Sequence, residues 1–240
     1  MPSGARWHRH SHCPRAVADT RRRRAVATSL TVAALAVTGR VATAQDTMAA
    51  LTRAQGAYEA ISSLRANFRQ TISNPMLGDP EITHGVLFLL KPDRFAMRFA
   101  EPAGDRVVAD GEWLWAYTPS TVPNQVIKQP IPSTGTATPN IFAQFVDRPL
   151  DRYEATYGGP ETIDGDPVDV VRLIPLQGEL GFRQATIAIS TRTGLLRRLA
   201  LVEDSGQRRT IVLHDIEPGA AIPRAEVTFV VPRGAKVVTP

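Results

Sequence analysis

Thiol chemistry has almost no place in this sequence: its one cysteine, Cys13, lies near the start, ahead of an apolar run. A single thiol excludes an intramolecular disulfide and any zinc site built on several cysteines. Histidine is nearly as scarce, with only His84 and His214 after residue 44 and no His-x-x-x-His pair. No metal centre is expected from such a donor set. Gly-x-Ser-x-Gly, Gly-x-x-x-x-Gly-Lys and a glycine-rich strand-to-helix turn are all missing, which removes the usual marks of serine-elbow and phosphate-cradling enzymes. No catalytic residue is assigned and no cofactor is expected. The longest small and apolar run, Ala25–Gly39, has 15 residues, short of the roughly 20 that a spanning helix needs.

The sequence is basic overall, with a net charge of +5, but that charge is unevenly placed. Of 28 basic and 23 acidic residues, eight arginines and only Asp19 fall within residues 1–44, leaving 20 basic against 22 acidic groups and a net of −2 for the remainder. Nucleic acid is therefore not expected as a partner. Four arginines, Arg21–Arg24, precede the apolar run, and Ala42-Thr43-Ala44 follows it as a small-x-small site. This is the pattern of a secretory signal over residues 1–44, cut after Ala44, with one exported domain over 45–240. General secretion fits better than twin-arginine export, and a start at Val17 would give a leader of more usual length.

After the leader, Asp46 can cap a helix over Thr47–Ser62, with Leu51, Ala54, Tyr58 and Ile61 on one face. From Leu64 the period drops to two, with Leu64, Ala66, Phe68, Gln70 and Ile72 on one side of a strand. Strands are predicted over Thr83–Leu90, Arg94–Ala100, Asp105–Ala109, Glu112–Tyr117, Asn124–Gln129, Arg152–Tyr157, Pro167–Leu173, Phe182–Ser190, Leu195–Asp204 and Gln207–Ile216. Turns at Lys91-Pro92-Asp93, Asp110-Gly111, Thr193-Gly194 and Ser205-Gly206 join several of them. Asp164-Gly165-Asp166, with Asp169 beyond, suggests a calcium loop only superficially, because the other ligand spacings are absent and Asp-Gly favours a hairpin turn. Pro130–Pro139 is expected to be a mobile loop, and Asn140 to cap a short helical segment carrying Ile141, Phe142 and Phe145. The tail alternates through Ala225, Val227, Phe229 and Val231. About eleven strands with one long and one short helix define a mostly β, α+β fold. A sheet this wide must curl, leaving the helices to cover its inner face.

Trp113, Trp115 and Tyr117 share one face of a strand, an arrangement better explained by core packing than by a base-stacking platform. Arg197-Arg198 and Arg208-Arg209 read as solvated edges or turns. Several runs resemble one known family when taken in order: Leu64-Arg65-Ala66-Asn67-Phe68-Arg69-Gln70, Gly85 leading to Lys91-Pro92, and Phe95-x-Met97-x-Phe99 with Pro102. Asp110-Gly111 leading to Leu114-Trp115-x-Tyr117-x-Pro119, and Phe229-x-x-Pro232-x-Gly234, continue the likeness. Together they resemble the periplasmic outer-membrane lipoprotein carriers of the LolA family.

The resemblance implies an incomplete antiparallel barrel closed by a helical lid over an apolar cavity. In that reading a soluble, monomeric periplasmic carrier shields lipoprotein acyl chains; an inner-membrane ABC transporter loads it and an outer-membrane acceptor unloads it. The cavity wall is expected to comprise Leu87, Leu89, Phe95, Met97, Phe99 and Trp115. Ile141, Phe142 and Phe145, with Leu51 and Tyr58 of the first helix, are expected to form the lid. The family's arginine latch is Lys91 here, which can donate hydrogen bonds but lacks the planar guanidinium fork. Two other readings remain open at this point: a lipid- or lipoprotein-sensing domain of the same fold, and a secreted hydrolase with a carboxylate pair on the sheet.

Overall fold

The structure, a computed structural model, describes residues 44–76, 78–131, 142–177 and 180–239. The predicted leader up to residue 43, most of the Pro130–Pro139 loop, the predicted cap Asn140, and Ile141 lie outside these residues. Helix α1 (Ala44–Ala60) opens the described chain. The strands follow: β1 (Ser63–Ser73), β2 (Glu81–Leu90), β3 (Arg94–Glu101), β4 (Arg106–Asp110), β5 (Trp113–Tyr117) and β6 (Gln125–Pro130). Helix α2 (Ala143–Val146) and a 3-10 turn, Pro149–Asp151, precede β7 (Tyr153–Ile163), β8 (Asp166–Pro175), β9 (Phe182–Ser190), β10 (Leu196–Glu203) and β11 (Arg208–Pro218). A second 3-10 turn, Arg224–Val227, leads to β12 (Lys236–Val238).

All twelve strands form one sheet, ordered β12-β6-β5-β4-β3-β2-β1-β11-β10-β9-β8-β7. Hairpins build each half, and β1 joins the halves by pairing with both β2 and β11. The sheet curls but does not close, with β12 and β7 as its edges. Its pairings are antiparallel apart from β12, which runs parallel to β6. Asp164-Gly165 is the hairpin turn between β7 and β8, with Asp164 at φ 48° and Gly165 at φ 76°.

Each face of the sheet carries a core. On the inner face, Phe68, Leu87, Phe95, Met97, Leu173, Ile187, Leu199 and Ile211 are buried together beneath Leu51 and Ala54 of α1 and Phe145 of α2. On the outer face of the first half, Ala96, Val108 and Val126 are buried against Val227 and Phe229 of the tail. The tail thus differs from its sequence reading, because Arg224–Val231 adds no strand. Its carbonyls are taken by side chains instead: Arg98 donates to the oxygens of Ala225 and Glu226 at 2.8 and 3.1 Å, and Arg94 to that of Val227 at 3.4 Å. With its carbonyls satisfied this way, the segment lies across the sheet and buries Val227 and Phe229, while Val230 remains exposed.

Asp110 fixes the tight turn before β5. Its carboxylate accepts hydrogen bonds from the backbone N–H groups of Glu112 (3.1 Å) and Trp113 (2.9 Å) and from the Trp115 indole (2.6 Å). Burial alone would raise the Asp110 pKa. The three hydrogen bonds, helped by Arg94, outweigh burial and hold it below the ordinary value of 3.8. A carboxyl depressed in the folded state stabilises above its unfolded pKa and loses that contribution as pH falls through the folded one. We expect wild type to exceed Asp110→Asn in stability at neutral pH and the gap to narrow below about pH 3.8. Urea denaturation at a series of pH values measures this; a gap unchanged from neutral to acid pH would count against the assignment.

Candidate functional site: an apolar face beneath two helices

The inner face is apolar because β1, β2, β3, β9, β10 and β11 all turn their alternate hydrophobic residues to one side, where α1 and α2 meet them. A polar link anchors the middle of α1. Arg53 pairs with Asp169 of β8 at 2.8 Å, and Asp169 also accepts the Tyr157 hydroxyl at 2.6 Å. Gly194, at φ 74° in the β9–β10 turn, lets the helix sit close: a Cβ there would stand 2.7 Å from the Arg53 carbonyl and 2.8 Å from Ala57 Cβ. Helix α2, four residues long, makes contact with the inner face mainly through aromatic and aliphatic side chains. Phe142 tilts against Phe95 with ring centroids 6.4 Å apart, and Phe145 stacks on Tyr153 at 5.7 Å and meets Phe182 at 5.7 Å.

Between the helices and the sheet lies an apolar hollow of about 40 Å³, bounded by Tyr58, Leu64, Leu87, Leu89, Phe142 and Leu213 among others. Beside it, among the described residues, Phe142, Phe145, Tyr153 and Phe182 interlock on the inner face beneath α2.

Leu87 and Leu89 line the hollow, Phe95 and Met97 are buried on the same face, and Phe99 is half-buried there, edge-on to Phe68 at 5.2 Å. Leu51 is buried under α1 and Tyr58 borders the hollow. Trp115 is a correction: it points to the outer face, stacked on Phe229 at 5.1 Å, while its neighbour Leu114 packs inward. Both faces of β5 are covered, so its alternation does not show which side is inner. The Asp110–indole bond is a local feature that fixes the choice. Sequence reasoning also missed Leu64, Leu196 and Leu213, which carry the inner-face parity of β1, β10 and β11 up to the hollow.

Lys91 stands at the end of β2 and reaches the C-terminal turn of α1. Its ammonium donates to the Tyr58 carbonyl and lies 3.4 Å from that of Glu59 and 4.2 Å from the Tyr58 ring centroid. Desolvation lowers its pKa, with Glu59 and Asp147 acting in the opposite direction. A cation at a helix C-terminus meets carbonyls that have no partner within the helix, and here it fastens that end of α1 to the sheet. Of the four arginines read as solvated edges or turns, three make ion pairs, Arg197 with Asp166 (3.0 Å), Arg198 with Glu161 (2.8 Å) and Arg209 with Glu203 (3.2 Å), while Arg208 is exposed.

Fold and site define an open, curled half-barrel with an apolar inner face capped by helices. The family model described as "Outer membrane lipoprotein carrier protein LolA" matches residues 59–230, and the chain belongs to that family of carriers. An outer-membrane lipoprotein carrier protein of Pseudomonas aeruginosa is 28% identical over 210 residues, covering 88% of this chain and 97% of the relative. One from Methylobacillus flagellatus is 24% identical over 182 residues, covering 75% and 84%. Among solved structures, an uncharacterized conserved protein of Thermus thermophilus is similar in fold, with a TM-score of 0.52 at 12% identity over 80% of this chain and 98% of that one. No helix among the described residues is long and apolar enough to cross a membrane.

Proposed function

We propose that the protein is a soluble periplasmic carrier that takes up lipoprotein acyl chains between the helices and the inner face of the sheet. It passes them from the inner to the outer membrane without making or breaking a bond. Its leader directs export and is removed after Ala44; an inner-membrane ABC transporter loads the exported domain and an outer-membrane acceptor, where one exists, unloads it. Family membership supports this reading, and the observation that carries it is the apolar face held under a four-residue cap by Phe142, Phe145 and Val146.

Each CH₂ moved out of water contributes about 0.8 kcal/mol, so complete burial of several long chains would sum to tens of kcal/mol. Noncovalent affinities saturate near 18 to 21 kcal/mol, and a carrier must also release its cargo. The aromatic cluster meets that requirement: chains entering beneath α2 displace Phe142 and Phe145 from Phe95, Tyr153 and Phe182, and those lost contacts offset part of the gain. Lys91 holds α1 in place during this exchange, in the manner of a looser latch than an arginine would make.

The test is transfer from membranes. Protein recovered from the periplasm is mixed with vesicles bearing a fluorescent diacylglyceryl lipopeptide and separated by gel filtration. The lipopeptide is expected to leave the vesicles and elute with the protein; lipopeptide that stays with the vesicles at every protein concentration contradicts the proposal.

A further inference from the structure

Tyr153 opens β7 in register with Pro175, the last residue of β8, and so stands at an end of the sheet. Exposed Leu150 and Leu176 neighbour it in the chain and across the ladder, so the apolar face reaches solvent close by. The side chain itself is 1% exposed, covered by Phe145 of α2 and flanked by Phe182. Among the described residues its hydroxyl is a buried polar group with no hydrogen-bond partner. Buried tyrosines ordinarily pair their hydroxyls, and an orphaned one carries a desolvation cost that a phenylalanine would avoid. The surroundings, Phe145 and Phe182, would accept a phenylalanine ring equally well. Burial also pushes the Tyr153 phenol above its usual pKa, with Arg152 opposing, which keeps it a neutral donor at physiological pH.

An unpaired donor, covered by side chains that leave it when cargo enters, lacks an acceptor that the cargo can bring. The acyl chain itself offers none, but the carbonyl joining it to its head does, and that carbonyl belongs near the solvent end of the groove. We propose that the Tyr153 hydroxyl is a specificity-determining donor to an acyl carbonyl of the bound lipid, exposed when Phe145 and α2 move aside. This rests on the carrier reading and adds to it the part of the cargo that is recognised. Tyr153 selects ester- or amide-linked chains over bare hydrocarbon, and its unsatisfied hydroxyl in the closed form is satisfied on loading.

The probes are two diacylglyceryl-type lipopeptides with the same peptide, one carrying ester-linked palmitoyl chains and the other ether-linked hexadecyl chains, which lack the carbonyls. Dissociation constants are measured for both with wild type and Tyr153→Phe, and thermal melts confirm that the variant is folded. Wild type is expected to favour the ester about three- to tenfold, the worth of one net hydrogen bond, and Tyr153→Phe to bring the ratio to about one. Equal binding of both lipids by wild type, or an ester preference that survives in Tyr153→Phe, overturns the inference and leaves the carrier reading standing. Failure of wild type to bind either lipid overturns both.

Discussion

Phe95→Glu is expected to weaken acyl-chain binding by about two orders of magnitude at neutral pH. Phe95 is 2% exposed on the inner face, against Phe142, the residue that precedes α2. A carboxylate there has no cationic partner among the inner-face cluster, which is apolar. An unpaired buried charge costs several kcal/mol, and each 1.4 kcal/mol is tenfold in affinity. Stability falls as well, because replacing a buried phenylalanine typically costs about 3–5 kcal/mol, so binding alone would not separate a damaged wall from a damaged fold. The carboxyl supplies its own control: burial raises its pKa, so binding should recover as the solution is acidified toward protonation. Phe95→Leu, apolar and close in size, should bind within a few fold of wild type. Binding by Phe95→Glu that equals wild type at neutral pH would remove the inner face from the site.

Gly85→Ala is expected to have the largest effect on folding. A Cβ at this position would stand 2.1 Å from the Arg98 carbonyl oxygen on β3 and 2.7 Å from the Phe68 ring on β1. The first of these neighbours is backbone, so β2 and β3 must separate or shift register. The ladder already shifts between His84 and Gly85, and Phe68 packs edge-on to Phe99 in the space the missing side chain leaves. Overpacking a core costs about 1–3 kcal/mol and occasionally more; with a backbone oxygen as the obstacle, a loss of at least about 3 kcal/mol is expected. Urea denaturation followed by far-UV circular dichroism measures it. A loss under about 1 kcal/mol would mean that the three strands are not held as closely as described.

How far the sequence discloses this molecule depends on whether the deciding interaction is local. Strand positions and turns were legible because Asp110-Gly111, Asp164-Gly165 and Ser205-Gly206 encode their turns in a few residues; these glycines have φ values of 102°, 76° and 86°. The inward set was legible on β2 because Lys91 continues the parity of Leu87 and Leu89 toward the helices, and on β3 because Arg98 separates Met97 from Phe99. Trp115 was not, because the tail buries the opposite face of the same strands and makes both parities apolar. The tail's course depends on Arg94 and Arg98, more than a hundred residues away. The aromatic packing beneath α2 was equally hidden: how Phe142, Phe145, Tyr153 and Phe182 interlock is set by tertiary contacts that no periodicity records.

The central claim is that acyl chains take the place now filled by the aromatic side chains beneath α2. Spin labels at Gln144→Cys on α2 and Ser205→Cys in the β10–β11 turn report the distance between cap and sheet. The one native cysteine, Cys13, is replaced by serine in the labelled protein, so no native thiol competes for the label. On titration with a diacylglyceryl lipopeptide, a longer distance should replace the original one, with the same midpoint as lipid binding. Saturating lipid binding with an unchanged distance would show that the chains bind elsewhere.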